Sequence, residues 1–393
     1  MQLRNNRVES IDVLRGFVMI IMALDHVRDY FHYDAFMYSP TDLAFTNSFL
    51  FFTRFITHYC APVFVFLAGI SASLYGAKRS RKQLRFYLLT RGLWLVFAEI
   101  FIITLGWTFN PAYPLANLQV IWAIGVSMMV LSAMIYMKRL YILLIAVLII
   151  AGHNLFDQVH VEGNGITAFL WSILHQPEDF VVGNFKIFVR YPVVPWIGIM
   201  ALGYYLGSLY HAGYDAVKRK KILLFTGLGM ITVFILLRWF NFYGDQAQWS
   251  VQKNKVFSLL SFLNISKYPP SFFYTLVTLG PAMVFLSLAE KPLNAISDKV
   301  AVFGRVPFFY YLAHLYLIHF LAIIAVIISG FNPADMILSE RVNRVAALKG
   351  YGFNLLVVYL VWIGIIVLLY PCCKWFDRYK RTHQSAKTWL TYM

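Results

Sequence analysis

Ionisable side chains crowd the two ends of one hydrophobic stretch, from Arg7 to His32. Arg15 precedes the apolar run Val18 to Leu24, and Asp25-His26-Val27-Arg28-Asp29-Tyr30-Phe31-His32 follows it. Hydrocarbon has no water to solvate a charge, so such groups in a membrane span pair with one another or line a polar path. Arg15 and His26 are eleven positions apart. On a helix of 3.6 residues per turn that spacing returns to within about 20° of one face and rises roughly 16 Å. Met19 and Met22 lie between them on the same stripe. One face would then join a guanidinium, which binds phosphate, to an imidazole, which exchanges protons near neutral pH.

The element that must position them is a membrane helix. The chain has 393 residues, 60% hydrophobic and 13% charged, with a mean hydropathy of +0.64, against about one quarter charged in a soluble domain. The expected fold is an all-α polytopic membrane bundle of about ten transmembrane helices forming a single domain over residues 1–393. Apolar stretches occur at Val13 to Phe31, Phe49 to Tyr75, Phe86 to Trp107, Leu118 to Met137 and Tyr141 to Gly152, the shortest. Further along come Val193 to Leu209, Ile222 to Phe240, Ser271 to Ala289, Val306 to Ser329 and Phe353 to Phe376.

An even number of spans puts both termini on one side, and basic residues in short loops mark the cytoplasm. Arg4, Arg7, the run Lys78 to Arg85, Lys138, Arg139, Lys218 to Lys221 and the tail Lys374 to Arg381 fall on that side. Both termini are therefore expected to be cytoplasmic, with Met1 to Asp12 and the span behind it acting as a signal anchor. The net charge of +16 is topological and lipid-facing, which argues against nucleic-acid binding. Cys60, Cys372 and Cys373 are too few for a disulfide framework, and Cys372 and Cys373 read as inert boundary residues rather than acylation sites. No HxxxH or HExxH pair occurs, so no metal is expected. Three longer outer segments, His153 to Pro192, Asn241 to Pro270 and Phe331 to Gly352, are expected to form short amphipathic helices roofing a pocket.

A set of segments in order carries a resemblance. Ser10-Ile-Asp-Val-Leu-Arg-Gly-Phe17, Ala61-Pro-Val-Phe-Val-Phe-Leu-Ala-Gly-Ile70, Val120-Ile-Trp-Ala-Ile-Gly125, Val194-Pro-Trp-Ile-Gly198, Tyr268-Pro-Pro-Ser271, and Phe303-Gly-Arg-Val-Pro307 running on to His319 span nearly the whole chain. Together they resemble the transmembrane acyltransferases, in particular the catalytic domain of heparan-α-glucosaminide N-acetyltransferase and its bacterial relatives. The related acyltransferase-3 group spaces a basic residue and a histidine as Arg15 and His26 are spaced. The resemblance implies a cytosolic acyl-CoA, most simply acetyl-CoA, meeting an acceptor at the outer side. In the heparan enzyme the acting histidine comes later, in the outer loop, which leaves His26 and His32 both open as the base.

Acyl transfer from a thioester needs a base for the acceptor's proton and donors for the developing oxyanion. His26 is the first candidate base and His32 the second. Asp29, three residues on, shares the face of His26 and would orient it; Asp25 is the alternative, though it is expected to pair with Arg28. Arg28, Arg54, His58 and His319 are candidates for substrate binding, and His314 for a helix-to-helix hydrogen bond. Arg15, Arg91 and Arg305 lie at inner span ends, where phosphates of acyl-CoA would be met.

The expected function is transfer of an acyl group, most simply acetyl, to a sugar or glycan at the outer face of a bacterial inner membrane. Its partners would be membrane lipid and a carbohydrate acceptor, with a homo-oligomer left open. The rival reading is a proton-coupled solute transporter using Asp25, His26, Asp29, His58 and His319 as a relay. A scaffold that only binds lipid or partners is a third.

Overall fold

Apolar runs separated by basic turns dictate a helical frame. The computed structural model describes residues 8–383 and 390, so Arg4 and Arg7 lie outside the described residues. The chain runs through α1 (Glu9–Phe31), α2 (Ser48–Thr57), α3 (Cys60–Gly76), α4 (Arg81–Phe97), the π-helical stretch Ala98–Ile103, α5 (Thr104–Thr108), β1 (Leu115–Leu118), α6 (Val120–Met134) and α7 (Arg139–Gly152). It continues through α8 (Ile166–Leu174), β2 (Glu178–Val182), β3 (Phe185–Val189), α9 (Val193–Leu206), α10 (Ala216–Phe240), α11 (Lys255–Leu263), α12 (Phe272–Leu288), α13 (Ala295–Arg305), α14 (Pro307–Ile328) and α15 (Leu355–His383).

Each of the ten expected apolar stretches falls on helix. Among the described residues seven helical runs are long and apolar enough to cross a membrane: Ser48–Gly76, Arg81–Thr108, Arg139–Phe156, Val193–Tyr210, Ala216–Phe240, Pro307–Ile328 and Leu355–His383. The stretch expected to be shortest gains length from a 3-10 turn, His153–Phe156. α6 and α12 are apolar but shorter. α1 has 23 residues but carries Asp12, Arg15, Asp25, Arg28 and Asp29 inside them.

α1 is the hub, packing on α2, α3, α12, α13, α14 and α15. Glu9 and Asp12 in its first turn and Arg28 in its last complement the helix dipole. Gly16 and Gly304 let α1 and α13 touch: a Cβ at Gly16 would strike the Val300 carbonyl, and one at Gly304 the Asp12 carbonyl. That crossing anchors Arg15, whose Nη1 donates to Gly304 O at 3.1 Å and to Asp12 at 3.3 Å.

Two expectations need correction. The stretch Phe49 to Tyr75 is two helices rather than one, with α2 ending at Thr57 and α3 starting at Cys60. Pro62 has no N–H to give the His58 carbonyl, and Tyr274 Oη fills that acceptor at 2.7 Å. The fold also contains a three-stranded sheet of order β1-β3-β2, so the roof is not made of amphipathic helices alone. β2 and β3 form an antiparallel hairpin across Gly183-Asn184, and β1 pairs in parallel with β3. Gly183 has φ +61°, the left-handed conformation that a two-residue hairpin turn requires. α8 and α11 are the helical parts of the roof, while the segment Phe331 to Gly352 holds only 3-10 turns. Asp179 on β2 fastens that segment, pairing with Arg190 at 3.0 Å, Arg341 at 2.6 Å and Arg344 at 2.7 Å.

Candidate active site

Asp25 gathers the ionic cluster at the sheet-bearing end of α1. Arg54 Nη1 donates to both of its oxygens, at 2.7 and 2.5 Å, and Thr57 Oγ1 donates at 2.9 Å. Arg28 Nη1 lies 2.7 Å away as an ion pair without hydrogen-bond alignment, and Arg28 Nη2 donates to Asp29 at 2.6 Å. The expected pairing of Asp25 with Arg28 is present. Two carboxylates therefore neutralise two guanidinium groups, as buried charge demands. The break between α2 and α3 brings Arg54 within reach.

Neither carboxylate orients His26, contrary to the expectation for Asp29 or Asp25. His26 Nδ1 lies 2.8 Å from His314 Nε2 on α14. His314 Nδ1 lies 2.7 Å from the Tyr310 carbonyl, which only accepts. The proton positions follow from this network: His314 donates from Nδ1, its Nε2 accepts, and His26 donates from Nδ1. His26 Nε2 is left with a bare lone pair, as a general base requires. Trp107 packs edge-on to the His26 ring with centroids 4.8 Å apart, and His26 is 8% exposed.

Three adjoining cavities run along this side of α1. The first, about 220 Å³, is lined by Arg15, Met19, Met22, Arg91, Arg305 and Lys380 among others. The second, about 90 Å³, holds Asp25, His26, Asp29, Arg54, Lys267 and Tyr268. The third, about 630 Å³, opens under the sheet and loops between Arg28, His32, His58, Arg190 and Arg341. Met22, Phe64, Val120 and Tyr311 are shared by the first two. Asp29, Arg54, Trp107, Gln119, Lys267 and Tyr268 are shared by the last two. The stripe of Arg15, Met19, Met22 and His26 thus faces space along its whole length, and the three arginines expected at phosphates meet in one cavity.

The remaining candidates divide. His32 lines the large cavity, but its Nδ1 accepts the Asp34 N–H at 3.2 Å and caps a 3-10 turn, away from His26. His58 also lines the large cavity and packs at a tilt against Tyr274, with its Nδ1 buried and unpartnered among the described residues. His319 is not in the site: its nitrogens meet the Gly106 carbonyl at 2.9 Å and the Met336 carbonyl at 2.8 Å, so it clasps α14 to α5 and the roof. Arg28 and Arg54 reach the cavities with their guanidinium groups already engaged.

Sequence reasoning missed Lys267, Tyr268, Gln119, Trp107 and Tyr311. Lys267 is 9% exposed and has no ion-pair partner among the described residues. Tyr268 is exposed to the cavity; partial desolvation raises its phenol, yet the charges of Lys267 and Arg54 outweigh that and draw the group below the usual tyrosine value. A phenol made more acidic is a stronger hydrogen-bond donor. The signal in the sequence was the Tyr268-Pro-Pro motif directly after an isolated lysine.

Residues 7–240 match the family described as heparan-alpha-glucosaminide N-acetyltransferase, catalytic, over more than half of the 393-residue chain. The chain belongs to this family. No curated protein matches it. Membership in the heparan-alpha-glucosaminide N-acetyltransferase family makes this an acyltransferase of the membrane, of a family that in general uses acetyl-CoA. The matched region carries Arg15, Asp25, His26, Arg54 and Arg91, while Lys267, Arg305 and His314 lie beyond it. The candidate site therefore also draws on α13, α14 and the loop before α12, beyond the matched region.

Proposed function

We propose that the protein moves an acetyl group from acetyl-CoA, entering at the Arg15 end, to a carbohydrate amine or hydroxyl admitted from the sheet end. The single observation that carries this reading is that the Arg15-end cavity and the large cavity under the sheet both adjoin the small one holding His26. The 220 Å³ cavity suits the thin pantetheine arm, leaving the nucleotide and its phosphates at the mouth beside Arg15, Arg91 and Arg305. The acceptor gives its proton to His26 Nε2 as its heteroatom attacks the thioester carbonyl. Lys267 and Tyr268 face the oxyanion, and the departing CoA sulfur takes the proton back from His26. Direct attack and a transient acetyl-His26 use the same lone pair.

In this reading ten helices cross the membrane, α2 and α3 together making one crossing. Both termini and the Arg15 end are cytoplasmic, and residues 1–393 act as one unit. The bacterial inner membrane is its setting, with lipid and a carbohydrate as partners and self-association left open. Proteoliposomes loaded with acetyl-CoA and a panel of amino sugars test the proposal. CoA release should require acceptor and vanish in His26→Ala. Undiminished release in both His26→Ala and His32→Ala refutes the assignment of the base. Solute uptake coupled to a proton gradient without CoA release establishes the transporter reading instead.

A further inference from the structure

His153, Asp157 and His175 converge below the roof, well apart in sequence from the residues assigned above. Each stands at the end of an element: His153 caps α7, Asp157 closes the 3-10 turn that follows, and His175 caps α8. Their ligand atoms all lie within 4.8 Å of one another, and all three residues are buried. His175 Nε2 is 3.0 Å from Asp157 Oδ1. That pair is hydrogen-bonded here; in a tetrahedral site with bonds of about 2.0–2.1 Å neighbouring ligand atoms are roughly 3.3 Å apart, so an ion would replace the shared proton with only a small opening of the pair.

His153 supplies the independent observation. It is 3% exposed, yet among the described residues neither ring nitrogen has a partner in hydrogen-bond geometry, the backbone of Pro270 being the polar group beside it. A buried imidazole with both nitrogens unpaired calls for an explanation, and an ion is one. Beyond the three donors, Asn154 Nδ2 donates to Asp157 Oδ2 at 2.7 Å, while Asn154 Oδ1 accepts the Phe272 N–H at 2.8 Å. Asn154 thus holds the far oxygen of the Asp157 carboxylate and orients the other toward the histidines.

We infer that His153, Asp157 and His175 bind a divalent transition-metal ion, Zn²⁺ by their chemistry, with water as the fourth ligand. Two imidazoles and a carboxylate suit zinc, and they are poor ligands for Mg²⁺ or Ca²⁺, which take oxygen. The ion would tie the end of α7 to the end of α8, three residues before β2. It would thereby hold β2, whose Asp179 binds Arg190, Arg341 and Arg344 beside the large cavity. The role is a clamp on the roof, because neither His153 nor His175 lines a cavity that reaches His26.

Tag-free protein, purified without chelator, should retain about one Zn²⁺ per chain by elemental analysis, and Co²⁺ substitution should give the visible bands of a tetrahedral site. His153→Ala should abolish retention, and Asn154→Ala should weaken Zn²⁺ binding by about 10–100-fold. Removing the ion with a chelator should lower the melting temperature of wild type and leave His153→Ala unchanged. Should His153→Ala not fold, His153→Gln and the Co²⁺ spectrum of wild type decide the matter. Retention equal in wild type and ligand variants, or no binding when apo wild type is titrated with Zn²⁺, overturns the inference.

Discussion

His26 Nδ1 and His314 Nε2 meet at 2.8 Å across the contact of α1 and α14, and their rings are tilted by only 11°. His314 is wholly buried and tied to the Tyr310 carbonyl, so the proton order of the pair has one solution. If His26 is the base proposed above, His314 stands where a carboxylate stands in many histidine-based sites, and it holds the ring without adding a charge.

Replacing His314 should therefore act through His26. In His314→Leu the acetyl-CoA turnover number should fall by about 10²–10⁴. In His314→Gln, which keeps an acceptor, part of the rate should return. Turnover equal to wild type in His314→Leu would show that the pair serves packing alone.

Arg91→Gln should raise KM for acetyl-CoA about tenfold, the size of one charge-assisted contact, with kcat nearly unchanged. With acetyl-pantetheine, which lacks the nucleotide, wild type and variant should have the same KM. A shift of equal size with both donors would remove Arg91 from the phosphates.

Asp25→Ala should cost stability before it costs chemistry. It leaves Arg54 and Arg28 facing each other without their shared counter-ion, a loss of about 3–5 kcal/mol for a broken buried pair. Thermal unfolding in detergent should show a lowered melting temperature, partly restored in the double variant Asp25→Ala/Arg54→Met. A single variant as stable as wild type would show that the cluster is solvated.

His32 makes folding sensitive to acid. Burial lowers its imidazole below the usual 6.5, against an opposing pull from Asp34. The unfolded chain thus takes up the proton first, and the stability that neutral His32 contributes is present above about pH 6.5 and lost as pH falls toward the lowered value. Between about pH 7.5 and pH 5.5, His32→Asn should show a smaller drop in melting temperature than wild type. Equal drops would mean that His32 does not titrate in this range.

Helix period and the cost of charge in hydrocarbon are local rules, and they reach far in this chain. The spacing of Arg15, Met19, Met22 and His26 placed them on one stripe, and that stripe faces the cavities. The placement of Arg15, Arg91 and Arg305 at span ends anticipated their meeting in a single cavity. Two local signals were present and passed over: Pro62, which marks the break after His58, and Gly183-Asn184, which marks the hairpin.

What lay beyond the sequence was lateral order. Spacing on α1 favoured Asp29 as the partner of His26, but the nitrogen that meets it belongs to a residue 288 positions away. Lys267 read as one more loop lysine until the turn before α12 folded it against the same cavity. Sequence alone determined which faces of each helix are apolar or charged, because that depends on residues within a few turns. Only the tertiary structure decided which lone pair is filled and which left bare, because that depends on which helices stand side by side.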